Sequence, residues 1–63
     1  MAIKLVKVKH LKGGEKIRTW YGYEFIIAAF SFLPGGQVIL FDEEDDEVGR
    51  WHLDQYVEVL NEN

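Results

Sequence analysis

The sequence predicts an all-β chain, with five or six short strands forming a small antiparallel barrel or sandwich. Short runs rich in β-branched and aromatic residues recur along its 63 residues. Glycine-rich turns, Gly13-Gly14 and Pro34-Gly35-Gly36, separate them, and no segment makes a convincing long helix. A barrel also protects the strand edges that so many short strands expose.

Taken in order, residues 3–10 mix β-branched and basic residues and read as a first strand. Apolar parity switches at Leu5-Val6, and a bulge there would reset the faces. Gly13-Gly14 supplies a turn, because glycine accepts positive φ without penalty. Residues 17–21 read as the next strand, which Gly22 interrupts. Residues 23–33 are apolar on both parities, which fits a strand buried on both faces or a buried helix. Their aromatic and β-branched content favours the strand. Residues 37–41 and 48–53 are two further strands, joined by a run of acids. Asp54-Gln55-Tyr56 forms one short helical turn, residues 57–59 make the last strand, and residues 61–63 fray.

Length and composition set the outer limits. The 63 residues make one domain. Folding removes roughly 60% of the surface that such a chain exposes when extended. Apolar transfer then contributes roughly 97 kcal/mol at ~25 cal/mol/Å², against a chain-ordering cost of about 95 kcal/mol. The margin is thin, so the fold must be compact or helped by a partner or by self-association. Cysteine is absent, which removes disulfides and thiolate metal sites and suits the cytoplasm. The longest apolar stretch, residues 25–33, is nine residues, where a membrane-spanning helix needs about 20. The N-terminal residues lack the apolar core of a signal peptide. The expectation is a soluble cytoplasmic protein that contacts no membrane.

Charge is segregated along the chain. Residues 1–22 carry six lysines and arginines against Glu15, whereas residues 23–63 carry ten acids against Arg50, for a net charge of −4. Six of those acids are consecutive: Asp42, Glu43, Glu44, Asp45, Asp46 and Glu47. They read as a solvated hairpin tip that can dock a basic partner. Their contiguity does not suit calcium, which wants spaced acids around a central glycine. Exposed Trp and Tyr dominate binding hot spots, and Trp51 and Tyr56 follow the acid run closely, so the expected partner surface combines residues 42–47 with these two rings. Phe25, Phe30, Phe32 and Phe41 are assigned to the core. An alternative surface for nucleic acid combines Lys4, Lys7, Lys9 and Arg18, tracking phosphates, with Trp20 and Tyr21 stacking on bases. The net negative charge opposes that alternative.

The segment Leu53-Asp54-Gln55-Tyr56-Val57-Glu58-Val59-Leu60 resembles the end of Src-homology-3 domains, where a one-turn helix with a Tyr leads into a Val-x-Val strand. The resemblance implies a small five- to six-stranded barrel. The acidic-aromatic motif of that family's N-terminal part has no counterpart, so recognition of proline-rich ligands is not carried over. A looser similarity follows the order of small archaeal chromatin proteins: Val6-Lys7-Val8-Lys9, Gly14-Glu15, Gln37 to Asp42, then Trp51 to Tyr56. Those proteins place lysines in the hairpin where this chain has six acids, so the barrel carries over and DNA binding does not.

Catalysis finds little footing. His10 and His52 are isolated, Ser31 is the one serine and lies in the most apolar run, and neither Gly-Gly pair is followed by the Lys-Ser/Thr of a phosphate loop. A barrel this small leaves little room for an enclosed pocket. The sequence therefore points to a non-catalytic interaction or regulatory module without cofactor or metal, with nucleic-acid binding and homo-oligomeric assembly as the alternatives.

Overall fold

In a computed structural model, which describes residues 2–61, the chain forms seven strands. They are β1 (Ala2–Lys7), β2 (Lys16–Arg18), β3 (Glu24–Ile26), β4 (Ala29–Leu33), β5 (Gln37–Phe41), β6 (Glu47–His52) and β7 (Tyr56–Asn61). Every ladder is antiparallel. One sheet runs β1-β7-β2-β3 and the other β4-β5-β6. No α-helix occurs among the described residues, and none of their helices is long and apolar enough to cross a membrane. Residues 62 and 63, which belong to the expected fray, lie outside the described residues, while Asn61 closes β7.

The all-β class holds, but the two sheets do not close into a barrel. Closure demands two partners for every strand. β3 is only three residues long, and β1 stops at Lys7 in a 3-10 turn over Val8–His10. That turn replaces the far end of the expected first strand. The Val8 N–H donates to Gln55 O at 2.8 Å and the Leu11 N–H to Val8 O at 3.0 Å, and the turn buries both Val8 and Leu11. The bulge expected at Leu5-Val6 is absent, since β1 pairs with β7 in unbroken register. Ile3 and Leu5 simply face outward and are exposed, while Val6 packs against the core. The irregularity sits instead in β6, where Leu40 faces Gly49, Phe41 faces Glu47, and Val48 is the extra residue. The helical turn expected at residues 54–56 is a tight turn over residues 52–55, closed by the Gln55 N–H on His52 O at 3.0 Å, and Tyr56 already belongs to β7.

The run at residues 23–33 is neither a helix nor one strand buried on both faces. It serves both sheets in turn. The Ile27 N–H donates to Glu15 O at 3.0 Å in the first sheet, and the next amide, Ala28 N–H, donates to Phe41 O at 2.9 Å in the second. The core-facing parity flips at that step: Phe25 and Ile27 point inward before it, and Phe30 is the next to pack against the core after it. This explains why both parities are apolar.

Three of the hairpins end in three-residue tips: residues 20–22, 34–36 and 43–45. The third position of each has positive φ, at Gly22 (91°), Gly36 (80°) and Asp45 (68°). Such tips place a left-handed residue last, a role that glycine fills freely and Asp tolerates.

The core lies between the sheets. Ile17 from the first sheet and Val38 and Leu40 from the second are fully enclosed, with Val8, Phe25, Ile27, Trp51 and Val57 around them. Of the four phenylalanines assigned to the core, Phe25 is buried and Phe30 and Phe41 are half-buried. Phe32 is 67% exposed, stacked only on Phe30 at 6.0 Å, because β4 is an edge strand that leaves the ring uncovered. Truncating Ile17 to Ala should cost about 2–5 kcal/mol, much of the stability of so small a domain. A urea titration checks this: the midpoint should fall sharply with an unchanged slope.

Candidate interaction surface

The β2–β3 hairpin presents the most exposed large hydrophobic side chain of the described residues. Thr19 opens its tip. The Thr19 N–H donates to Tyr23 O at 2.8 Å, the Gly22 N–H to Thr19 O at 3.0 Å, and the Tyr23 N–H to Thr19 Oγ1 at 3.0 Å. Thr19 is buried and its hydroxyl is committed to this turn. The turn throws the two intervening rings outward, leaving Trp20 91% exposed and Tyr21 exposed beside it. From Trp20 the rings form a ladder into the core. Trp20 meets Tyr21 edge-on at 5.2 Å, Tyr21 stacks on Tyr23 at 6.5 Å, Tyr23 on Phe25 at 5.9 Å, and Phe25 leans on Trp51 at 6.4 Å. Each offset contact adds about 0.5–1.5 kcal/mol beyond burial alone, so the tip is braced although its last ring stands in solvent.

Trp20 also walls a cleft of about 220 Å³ with Leu5, Arg18, Trp51, Tyr56 and Glu58. Leu5 and Tyr56 are exposed at its rim. Lys7 lies 5.8 Å over the Tyr56 ring, a cation–π arrangement. Arg18 crosses the cleft side of the sheet, its Nε bonded to Glu58 Oε1 at 2.7 Å and its Nη1 3.9 Å from Glu24. The cleft thus unites residues from both expected surfaces: Arg18 and Trp20 from the nucleic-acid set, Trp51 and Tyr56 from the partner set.

Trp51 needs correction as an exposed contact. Only 9% of it is accessible. It faces Val38 across the ladder and lies over Gly49, where a Cβ would come within 3.2 Å of its ring. It supports the cleft from the core. The acid run does not share that cleft. Asp42, Glu43 and Glu44 border a shallow depression with Tyr23, Glu24 and Phe25. The acidic tip repeats the construction at Thr19. The Asp42 N–H donates to Asp46 O, the Asp45 N–H to Asp42 O, and Asp42 Oδ1 accepts from Glu44 N–H at 2.9 Å and Asp46 N–H at 3.0 Å. Asp42 and Asp45 are therefore turn-forming residues, and Glu43 and Glu44 occupy the outward positions that Trp20 and Tyr21 hold in the other hairpin. No ion pair among the described residues reaches residues 42–47.

The basic residues are treated differently. Lys9 pairs with Asp54 at 3.4 Å and Lys16 with Glu24 at 3.7 Å, and Arg18 bridges two glutamates. Positive and negative halves interdigitate on the first sheet, while Lys4 is exposed on its edge strand. Pairs this exposed contribute about 0–1 kcal/mol each, yet they draw the basic strands away from phosphates. Among the described residues no group of three potential ligands is placed to hold a metal ion. Sequence reasoning missed Leu5 and Thr19. The parity switch at Leu5-Val6 and the Thr-x-x-Gly spacing were the available signals.

No family model matches the chain, and no curated protein or solved structure matches it. Replacing Thr19 by Val leaves the Tyr23 N–H without its acceptor and should cost about 1–2 kcal/mol. Gly22→Ala should cost about 1 kcal/mol through its positive φ. Denaturant melts of the two variants check both values.

Proposed function

We propose that this chain is a small non-catalytic protein-interaction module that engages a basic partner segment through its aromatic hairpin tip. Trp20, Tyr21 and Tyr23 form the contact, with the Leu5–Tyr56 cleft on one flank and Glu43 and Glu44 on the other. The observation that carries this reading is the 91% exposure of Trp20 on a tip that its own backbone bonds hold rigid. A large ring left in water gains most when a partner covers it, and such rings dominate binding energetics. The uncompensated acids beside the ladder supply attraction for positive charge and speed its encounter. We read the topology as Src-homology-3-like with unclosed sheets. β1 lying beside β7, one segment shared by both sheets, and a Tyr opening the last strand support that reading.

Nucleic acid is the weaker partner class because Lys9, Lys16 and Arg18 each face a carboxylate. Peptide-array capture followed by titration, read through the anisotropy of a labelled peptide, tests the proposal. Trp20→Ala should weaken binding at least about tenfold. Glu43→Gln combined with Glu44→Gln should slow association and flatten its salt dependence. Basic peptides that bind equally well to both variants would refute the proposed surface. Tight, salt-sensitive binding of oligonucleotides in place of peptides would transfer the assignment to nucleic acid.

A further inference from the structure

The two sheets present four edge strands, β1, β3, β4 and β6. Natural edges are protected from pairing with other chains by charge, bulges or brevity. β1 carries Lys4 and Lys7, β3 is three residues long and begins at Glu24, and β6 has the bulge at Val48 together with Glu47 and Arg50. β4, Ala29-Phe30-Ser31-Phe32-Leu33, has none of these devices. It is uncharged, regular, and carries the exposed Phe32 stacked on Phe30. We propose that β4 is a self-association edge on which a second copy of this chain pairs antiparallel about a two-fold axis at Ser31, joining two three-stranded sheets into one of six strands.

The direction of the backbone groups sets this register. The Leu53 N–H donates to Gly36 O at 2.8 Å, and these residues continue the β5–β6 register. Hydrogen-bonded pairs recur every second residue along an antiparallel ladder. Val38 and Leu40 therefore bond toward β6, while Gln37, Ile39 and Phe41 bond toward β4 at Leu33, Ser31 and Ala29. Phe30 and Phe32 are left with their N–H and C=O groups turned to the open edge. A two-fold axis at Ser31 sets Phe30 opposite the second copy's Phe32 and the reverse, so four interchain hydrogen bonds form. The same register places four phenylalanine rings on one face as cross-strand pairs, an arrangement that stabilises sheets, and brings no like charges together. A two-fold contact between copies is favoured over a head-to-tail one because the acids of residues 42–47 have no complement on this uncharged strand.

Sedimentation velocity from micromolar to millimolar protein tests this proposal independently of the Trp20 surface. The mass should rise from monomer to dimer and stop there, with a dissociation constant little changed by salt. Phe32→Lys should raise that constant at least about tenfold by charging an edge that symmetry repeats. Phe32→Pro should do the same, because the N–H it removes faces the open edge and its loss spares the ladder to β5. Both variants should keep the far-ultraviolet dichroism of the parent. A monomer at every concentration, growth beyond the dimer, dissociation by salt, or dimers undisturbed by both folded variants would each overturn the proposal.

Discussion

The architecture depends on one step of backbone, from Ile27 to Ala28. One amide bonds into the first sheet and the next into the second; with the return crossing from β6 to β7 at residues 53–55, this segment ties the two ladders together and sets their inner faces toward each other. The enclosed residues follow from this. Ile17 is brought in on β2 beside Phe25, while Val38 and Leu40 arrive on β5 opposite β4. The three-residue strands β2 and β3 lean in turn on β7, which pairs with β2, because a two-stranded ribbon that short does not persist in water by itself.

The first and third hairpin tips share one backbone plan, the second adds a positive φ at Gly35, and all three differ in what they display. The first shows Trp20 and Tyr21, the second Pro34 and Gly35, the third Glu43 and Glu44. In the first and third, a side-chain oxygen at the opening residue, Thr19 Oγ1 or Asp42 Oδ1, takes the amide proton four residues on. These two tips are thus held by local bonds, and the side chains of the two outward residues make none of the bonds that close the turn. Lys9, Lys16 and Arg18 of the N-terminal third, in contrast, are engaged by carboxylates, so the charge asymmetry of the sequence is sharpest in space at the acidic tip.

Much of the fold was readable in the sequence because β-branched runs and Gly turns act locally. The strands expected at residues 37–41 and 48–53 lie within one residue of the observed ends. The failures have nonlocal causes. Thr19 to Tyr21 look like strand by propensity, but the Thr19–Gly22 bond makes them a turn. The apolar run at residues 23–33 hides a change of sheet, and parity read against one plane cannot show two. Trp51 is typical of interface residues by type, yet its register opposite Val38 consigns it to the core. Residues 42–47 were legible as a hairpin tip, but not that Asp42 and Asp45 build the turn while Glu43 and Glu44 face outward. The cleft joining Leu5, Trp20 and Tyr56 draws on three strands or turns distant in sequence, which no local pattern encodes.

Amide hydrogen exchange on uniformly labelled protein tests the sheet-switching step most directly. Ile27 and Ala28 should be protected to nearly the level of global unfolding, and to similar degrees, because each is bonded within a different ladder and both are lost only when the whole domain opens. Rapid exchange at either position, comparable to that of Trp20 and Tyr21 at the hairpin tip, would contradict the account.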